Sequence, residues 1–293
     1  MRLIEKMKEN NQKLYEEDIV SKQHKIIKDI SYINDGTDDH KLDIIYPDEE
    51  QIKYPFILNI HGGCFCIGSK EFLTNNHGMR LAENRFAVVN INFRSSIDHK
   101  FPAQIYDVLE VINFLQNKAY KYKLDMDNMF IVGTSSGAYI AMLTTCIFNN
   151  IKMRRYFEVN CDVEIRGVAS YCGLFDFHTV MGKDSVFPMK EKFISMLFGT
   201  SDFEKLVSYT YSSVLNNINE DFPPVYLMDT EYKSFINETY RLEKVLKENK
   251  VPYKIRVFDA KDELEYAFNT QSKYKQSGVV IDETFEFFGK EIR

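Results

Sequence analysis

Six short apolar runs, each bounded by turn residues, alternate along this chain with longer segments of helical period, and that alternation restricts the possible folds more than any other feature. The runs are Tyr54–Ile60, Phe86–Phe93, Met129–Val132, Val168–Tyr171, Val225–Met228 and Tyr253–Phe258. The helix-period segments are Gln104–Asn117, Gly137–Asn149, Ile236–Asn249 and Asp282–Lys290. Continuously apolar strands joined through helices imply an open α/β sheet, parallel and buried on both faces. Two earlier strands, His24–Ile33 and Lys41–Tyr46, flank Asn34-Asp35-Gly36, a hairpin turn signal. Residues 1–20 have the pattern of an amphipathic helix, with Leu3, Ile4, Met7 and Leu14 along one face. The alternation breaks only at residues 174–222, where two helix-like stretches, Lys190–Phe198 and Phe203–Val214, fall between consecutive strands. An insertion of that length packs over one edge of a sheet as a cap. No repeat or low-complexity linker divides residues 1–293, so a single domain is expected, with cap elements from 1–20 and 174–222.

Composition narrows the function classes. With 44% hydrophobic and 27% charged residues the chain has enough apolar material for a core. Its 37 Lys and Arg against 43 Asp and Glu leave a net charge of -6, unsuited to nucleic-acid binding by bulk electrostatics. The first residues, MRLIEKMKENNQKLYEED, carry charges throughout, and no window approaches the length of apolar sequence that spans a membrane. Five cysteines, an odd and scattered set, read as reduced thiols, and a cytoplasmic location is expected. Cys64 and Cys66 have no second pair at zinc-finger spacing, so neither a metal nor a cofactor is expected.

Two motifs stand at the C-terminal ends of apolar runs, where open α/β sheets place ligands. Gly133-Thr134-Ser135-Ser136-Gly137 follows a strand and opens a helix, the setting in which G-x-S-x-G projects a nucleophilic serine, here Ser135. His61-Gly62-Gly63-Cys64-Phe65 follows the Tyr54–Ile60 strand. A glycine-rich turn of that kind supplies backbone N–H donors to a developing oxyanion. The candidate donors are Gly63, Cys64 and Ser136, the last being the residue after the nucleophile.

With these motifs, the chain resembles the α/β-hydrolase esterases of the hormone-sensitive-lipase and BD-FAE kind over most of its length. Lys41–Pro47 is similar to their second strand and His61–Phe65 to their oxyanion turn. Phe93-Arg94 with His99–Ala103, the GTSSG elbow, and Pro223-Pro224-Val225 complete the likeness. The resemblance implies about eight mostly parallel strands with flanking helices and a small helical cap, and a Ser–Asp–His triad in that order. There the chain departs from its relatives. Lys233, in Glu231–Phe235, stands where the family places its acid, and Tyr266, in Glu265–Phe268, stands where it places histidine. The six histidines are His24, His40, His61, His77, His99 and His178, so none follows residue 178. Asp176 is expected to cap the segment after it, and Asp262, Glu263 and Glu265 to form an acidic rim.

Two function classes follow. In the first, the chain hydrolyses small acyl esters through Ser135 with an unusual base: Lys233 lowers the Tyr266 pKa and Tyr266 deprotonates Ser135. Bringing a tyrosine from about 10 to near 7 takes about 4 kcal/mol, more than one partly solvated lysine supplies. In the second, the site is disabled, and a pseudo-hydrolase uses the old acyl pocket for a small apolar ligand or presents its surface to a protein partner. A homodimer through sheet edges is compatible with either.

Overall fold

The computed structural model describes residues 5, 9, 13, 24–71, 75–181, 189–200 and 202–293. The expected amphipathic segment 1–20 therefore lies outside the described residues, three positions excepted. Eight strands form one sheet: β1 (Lys25–Ser31), β2 (Lys41–Tyr46), β3 (Tyr54–Ile60), β4 (Ala87–Ile91), β5 (Leu124–Thr134), β6 (Ile165–Tyr171), β7 (Val225–Thr230) and β8 (Tyr253–Phe258). Their spatial order is β1-β2-β4-β3-β5-β6-β7-β8. The β1–β2 hairpin and the β2–β4 pair are antiparallel, and every later pair is parallel.

Parallel pairing requires crossovers, and helices supply them: α1 (Asn75–Ala82), α2 (Ala103–Tyr122), α3 (Ser136–Phe148), α4 (Ile151–Tyr156), α5 (Phe177–Met181), α6 (Lys190–Phe198), α7 (Val207–Thr210), α8 (Ile236–Glu248) and α9 (Lys275–Gly289). Alternate strand residues then bury on opposite faces. Phe56, Leu58 and Ile60 join the side covered by α2 and α3, whereas Ile57 joins Leu81, Phe285 and Phe288 beneath α1 and α9. Central strands buried on both faces explain why they read as unbroken apolar runs.

Boundaries differ from the sequence reading in instructive places. The last helix begins at Lys275 rather than Asp282, because Ser277, Val280 and Ile281 continue its buried side. The stretch 203–214 is not one helix. It holds a 3-10 turn at Phe203–Lys205, an extended Leu206 (φ -76°, ψ 137°) and the single turn α7. Its aromatic spacing serves packing instead: Phe203 stacks on Phe198 at 5.4 Å and meets Tyr209 edge-on at 5.0 Å. Through Phe177, 4.9 Å from Tyr139 and 5.3 Å from Phe198, this insertion closes over α3 and the turn after β3. No helix among the described residues is long and apolar enough to cross a membrane.

Candidate active site

The C-terminal ends of β3, β5, β6 and β7 and the loop after β8 converge on Ser135. Ser135 follows β5 with φ 57° and ψ -121°, a backbone conformation costly for any residue with a Cβ, and α3 starts at the next residue. Three contacts hold the strained corner in place. The Ser135 N–H donates to Tyr171 O (2.8 Å), and a Cβ on Gly133 would stand 2.2 Å from Gly137 O. A Cβ on Gly137 would stand 2.2 Å from Ile60 O, so its absence lets α3 lie directly on the end of β3. Strain of this kind makes a stability prediction. Ser135→Gly is expected to be more stable than Ser135→Ala by about 1 kcal/mol, the reverse of the usual order, because both lose the hydroxyl but only glycine relaxes φ. Urea midpoints of the two variants decide it, and an alanine variant equal or superior to the glycine one would refute the strain.

The turn after β3 is pressed against this corner. A Cβ on Gly62 would meet Thr134 O at 2.8 Å and the Ser135 Cβ at 3.2 Å, and the Phe65 N–H donates to the Ser136 hydroxyl at 3.3 Å. Gly63, Cys64 and Phe65 all have positive φ (106°, 54° and 62°), so the backbone curls around the corner instead of extending past it. The turn is fastened from behind. Lys70, almost wholly buried, sends its ammonium to Asp29 and Asp43 (both 2.9 Å) and to Glu71, while its N–H donates to Asn92 Oδ1 at 2.7 Å. The structure thus brings Gly63, Cys64, Ser135 and Ser136 together. His61 lies under them, stacked on Phe93 at 4.2 Å, and burial lowers its pKa to about 4, so the ring is neutral. Cys64 is half-buried and burial raises its thiol pKa.

Tyr266 reaches the same point from the loop after β8. Its oxygen is 2.9 Å from Ser135 Oγ and 2.7 Å from Cys172 O. A phenol has one proton and a carbonyl only accepts. Tyr266 therefore donates its proton to a hydrogen bond with Cys172 O and accepts a hydrogen bond from the Ser135 hydroxyl. Its pKa stands well above the ordinary tyrosine value, chiefly through burial, with the Cys172 thiol and the Asp229 carboxylate adding to the rise. The contact with Ser135 acts the other way and is outweighed.

The expected partnership of Lys233 with Tyr266 is overturned by these positions. Lys233 is exposed and its ammonium lies over the Tyr232 ring at 4.6 Å, so it lowers nothing at Tyr266, whose ring instead packs edge-on against Phe235 at 5.5 Å. Asp176 has its carboxylate on Arg241 at 3.2 Å. His178 was the one histidine after Ser135, and its side chain lies outside the described residues. Asp262, Glu263 and Glu265 are exposed, as a solvated rim would be.

A residue that the sequence reading passed over is Asp229, fully buried in β7. It accepts from the Thr239 hydroxyl (2.6 Å), the Thr230 N–H (2.8 Å) and the Ser234 hydroxyl, and the Cys172 thiol also bonds to it. Burial nevertheless raises its pKa. The signal for it was present as an aspartate continuing an apolar strand. Asn269 was missed too: its side-chain amide donates to Thr134 Oγ1 at 3.1 Å, which ties the Tyr266 loop to the end of β5, and its backbone carbonyl accepts from Arg80 of α1.

The mostly parallel sheet with flanking helices is shared with known proteins. The BD-FAE family model matches residues 42–243, most of the chain. The chain belongs to the BD-FAE family. Its fold is that of the esterase and lipase type of α/β-hydrolase. Esterase LipQ of Mycobacterium tuberculosis is 25% identical to this family member over 178 residues, 60% of the chain and 41% of LipQ. An arylesterase of Saccharolobus solfataricus is 25% identical over 42% of the chain and 40% of its own length. The chain thus spans less than half the length of these curated relatives. Among solved structures, Esterase B from Lactobacillus rhamnosis, in a complex described as inhibited, superposes with a TM-score of 0.89 at 20% identity, covering 98% of this chain and 93% of that one. The match to a hyperthermophilic esterase from Pyrobaculum calidifontis has a TM-score of 0.78 at 17% identity, with 100% and 94% covered. This BD-FAE chain therefore shares the family's scaffold while a tyrosine faces its serine.

Proposed function

We propose that this chain binds small acyl compounds at Ser135, with the ligand's carbonyl oxygen in the cradle of the Gly63, Cys64 and Ser136 N–H groups, and turns them over slowly or not at all. The observation that carries this reading is the neutral Tyr266 phenol 2.9 Å from Ser135 Oγ. A serine hydroxyl needs a base to take its proton as it attacks. Tyr266 uses its one proton on Cys172 and has a pKa pushed up rather than down, so it accepts a hydrogen bond without accepting the proton. Asp229 does not supply the missing function, because its oxygens are engaged by Ser234, Thr239 and Thr230 and no described imidazole stands between it and the serine.

The half of the site that recognises a carbonyl has no such defect. The corner keeps its strain, the turn is fastened by Lys70, and Ser136 opens a thirteen-residue helix with no acidic residue in its first turn. Helix N-termini and unpaired backbone donors favour developing negative charge. Such a site without its base retains about 10³–10⁴-fold acceleration over water.

Fluorophosphonate labelling followed by intact mass tests the reading without knowledge of the ligand. Slow modification that disappears in Ser135→Ala is expected. Labelling as fast as that of an esterase with a full triad would mean that Ser135 is activated, and the reading would fall.

A further inference from the structure

Because one phenol fills the place of the base, it also fills the place of the water that a base would activate. Building on the acyl-binding reading above, we propose that Ser135 accepts an acyl group from activated donors, such as thioesters and aryl esters, and keeps it as a long-lived acyl-serine.

The two half-reactions of a serine hydrolase make different demands on this corner. In the first, the bond between the carbonyl carbon and the leaving group breaks and the Ser135 Oγ–acyl bond forms. The hydroxyl proton goes to the departing thiolate or aryloxide, so a good leaving group lessens the need for a base. Ser135 is only half-buried and so within reach of a donor, and the Ser135–Tyr266 hydrogen bond fixes its hydroxyl direction. In the second half-reaction a water must approach the acyl carbon from the side where a general base would hold it. That volume contains the Tyr266 oxygen, wedged between Ser135 Oγ at 2.9 Å and Cys172 O at 2.7 Å. The ring behind it is backed by Phe235, and its loop is pinned by Asn269 to Thr134. Acylation therefore lacks only a base, whereas hydrolysis lacks both a base and room for its water.

The test uses p-nitrophenyl butyrate, with nitrophenolate release and intact mass followed together. One equivalent of nitrophenolate per chain is expected, with a gain of about 70 Da that is absent in Ser135→Ala and persists after the ester is removed. Tyr266→Phe removes the oxygen but keeps the ring and supplies no base, and is expected to retain the adduct. Tyr266→Gly with added imidazole opens the space and supplies the base, and is expected to shed it at least tenfold faster. Tyr266→Ser serves in its place if the glycine variant does not fold. Sustained release beyond one equivalent without an accumulating adduct overturns the proposal, as does an adduct equally long-lived when the space is open. Calorimetric titration with a stable ketone of the same chain length separates the two levels. Ketone binding without any adduct sinks the acyl trap and leaves the binding reading standing, whereas neither binding nor adduct removes both.

Discussion

Gly137→Ala is expected to destabilise the protein by at least about 3 kcal/mol and to abolish labelling at Ser135. The added methyl group would stand 2.2 Å from Ile60 O, 2.5 Å from His61 O and 2.8 Å from Ile60 C. These are backbone atoms at the end of a central strand, so no side chain can rotate away, and relief requires α3 to move off β3. Overpacked cores lose about 1–3 kcal/mol when side chains can adjust, and more when they cannot. The functional loss has the same origin. His61 begins the turn that carries the Gly63 and Cys64 N–H groups, and α3 carries Ser136, so separating β3 from α3 widens the carbonyl cradle. Denaturant unfolding of the variant, with fluorophosphonate labelling alongside, gives both readouts. A midpoint within experimental error of the parent would show that the corner yields in a way that this packing does not permit.

The second large effect is a loss of stability on mild acidification, and two histidines cause it. His61 and His77 are both buried, and burial lowers their pKa values from 6.5 to about 4 and about 3. Arg80 adds to the shift at His77, whereas the Gly62 carbonyl and Glu71 oppose it at His61. His77 lies edge-on to Tyr171 at 5.9 Å and neither of its ring nitrogens has a hydrogen-bond partner among the described residues. The sign follows from proton uptake. Below pH 6.5 the unfolded chain protonates these rings and the folded chain refuses, so stability present above 6.5 is lost as the pH falls toward the folded values. At about 1.4 kcal/mol for each unit of pKa difference, His61 alone accounts for about 3 kcal/mol by pH 4. Asp229, with its raised pKa, opposes part of this loss. Glu283, lowered to about 2 by Arg256, adds to the loss only at lower pH, so the interval between 6.5 and 4.5 belongs mainly to the histidines. Guanidinium midpoints across that interval should fall steadily, and His77→Leu should flatten the slope. A flat profile in the parent would mean that the folded protein takes up protons at these rings after all.

The same buried rings mark how far the primary structure could be read. The open sheet was legible because strands covered on both faces are nearly continuously apolar, as Tyr54–Ile60 is, whereas the edge strand Tyr253–Phe258 is only half-buried and carries Lys254 and Arg256. The serine corner was legible for a local reason. Gly133 is demanded by its approach to Gly137 within one strand–turn–helix unit, and such a contact leaves a fixed spacing, whereas Gly137 is demanded by Ile60 O at the end of β3. Residues 203–214 were misread as a helix because a regular spacing of aromatic residues satisfies tertiary stacking as well as it satisfies a helical face.

The amino-acid sequence by itself determined the sheet and the position of Ser135 and its glycine turn, since each depends on residue identity and short-range order, and it put Tyr266 in the loop after the last strand. Only the tertiary structure decided what that tyrosine does. The pKa of Tyr266 depends on neighbours 94 and 131 residues away, Cys172 and Ser135, and on the depth of its hydroxyl. The lysine that its position suggested as a partner points into solvent over another ring. Asp229, inconspicuous at the end of an apolar run, proves to be the buried carboxylate beside the site because β7 lies next to β6 and Cys172 follows β6. Electrostatics at a buried group is set by whatever folding places around it, and that information is not local in the chain.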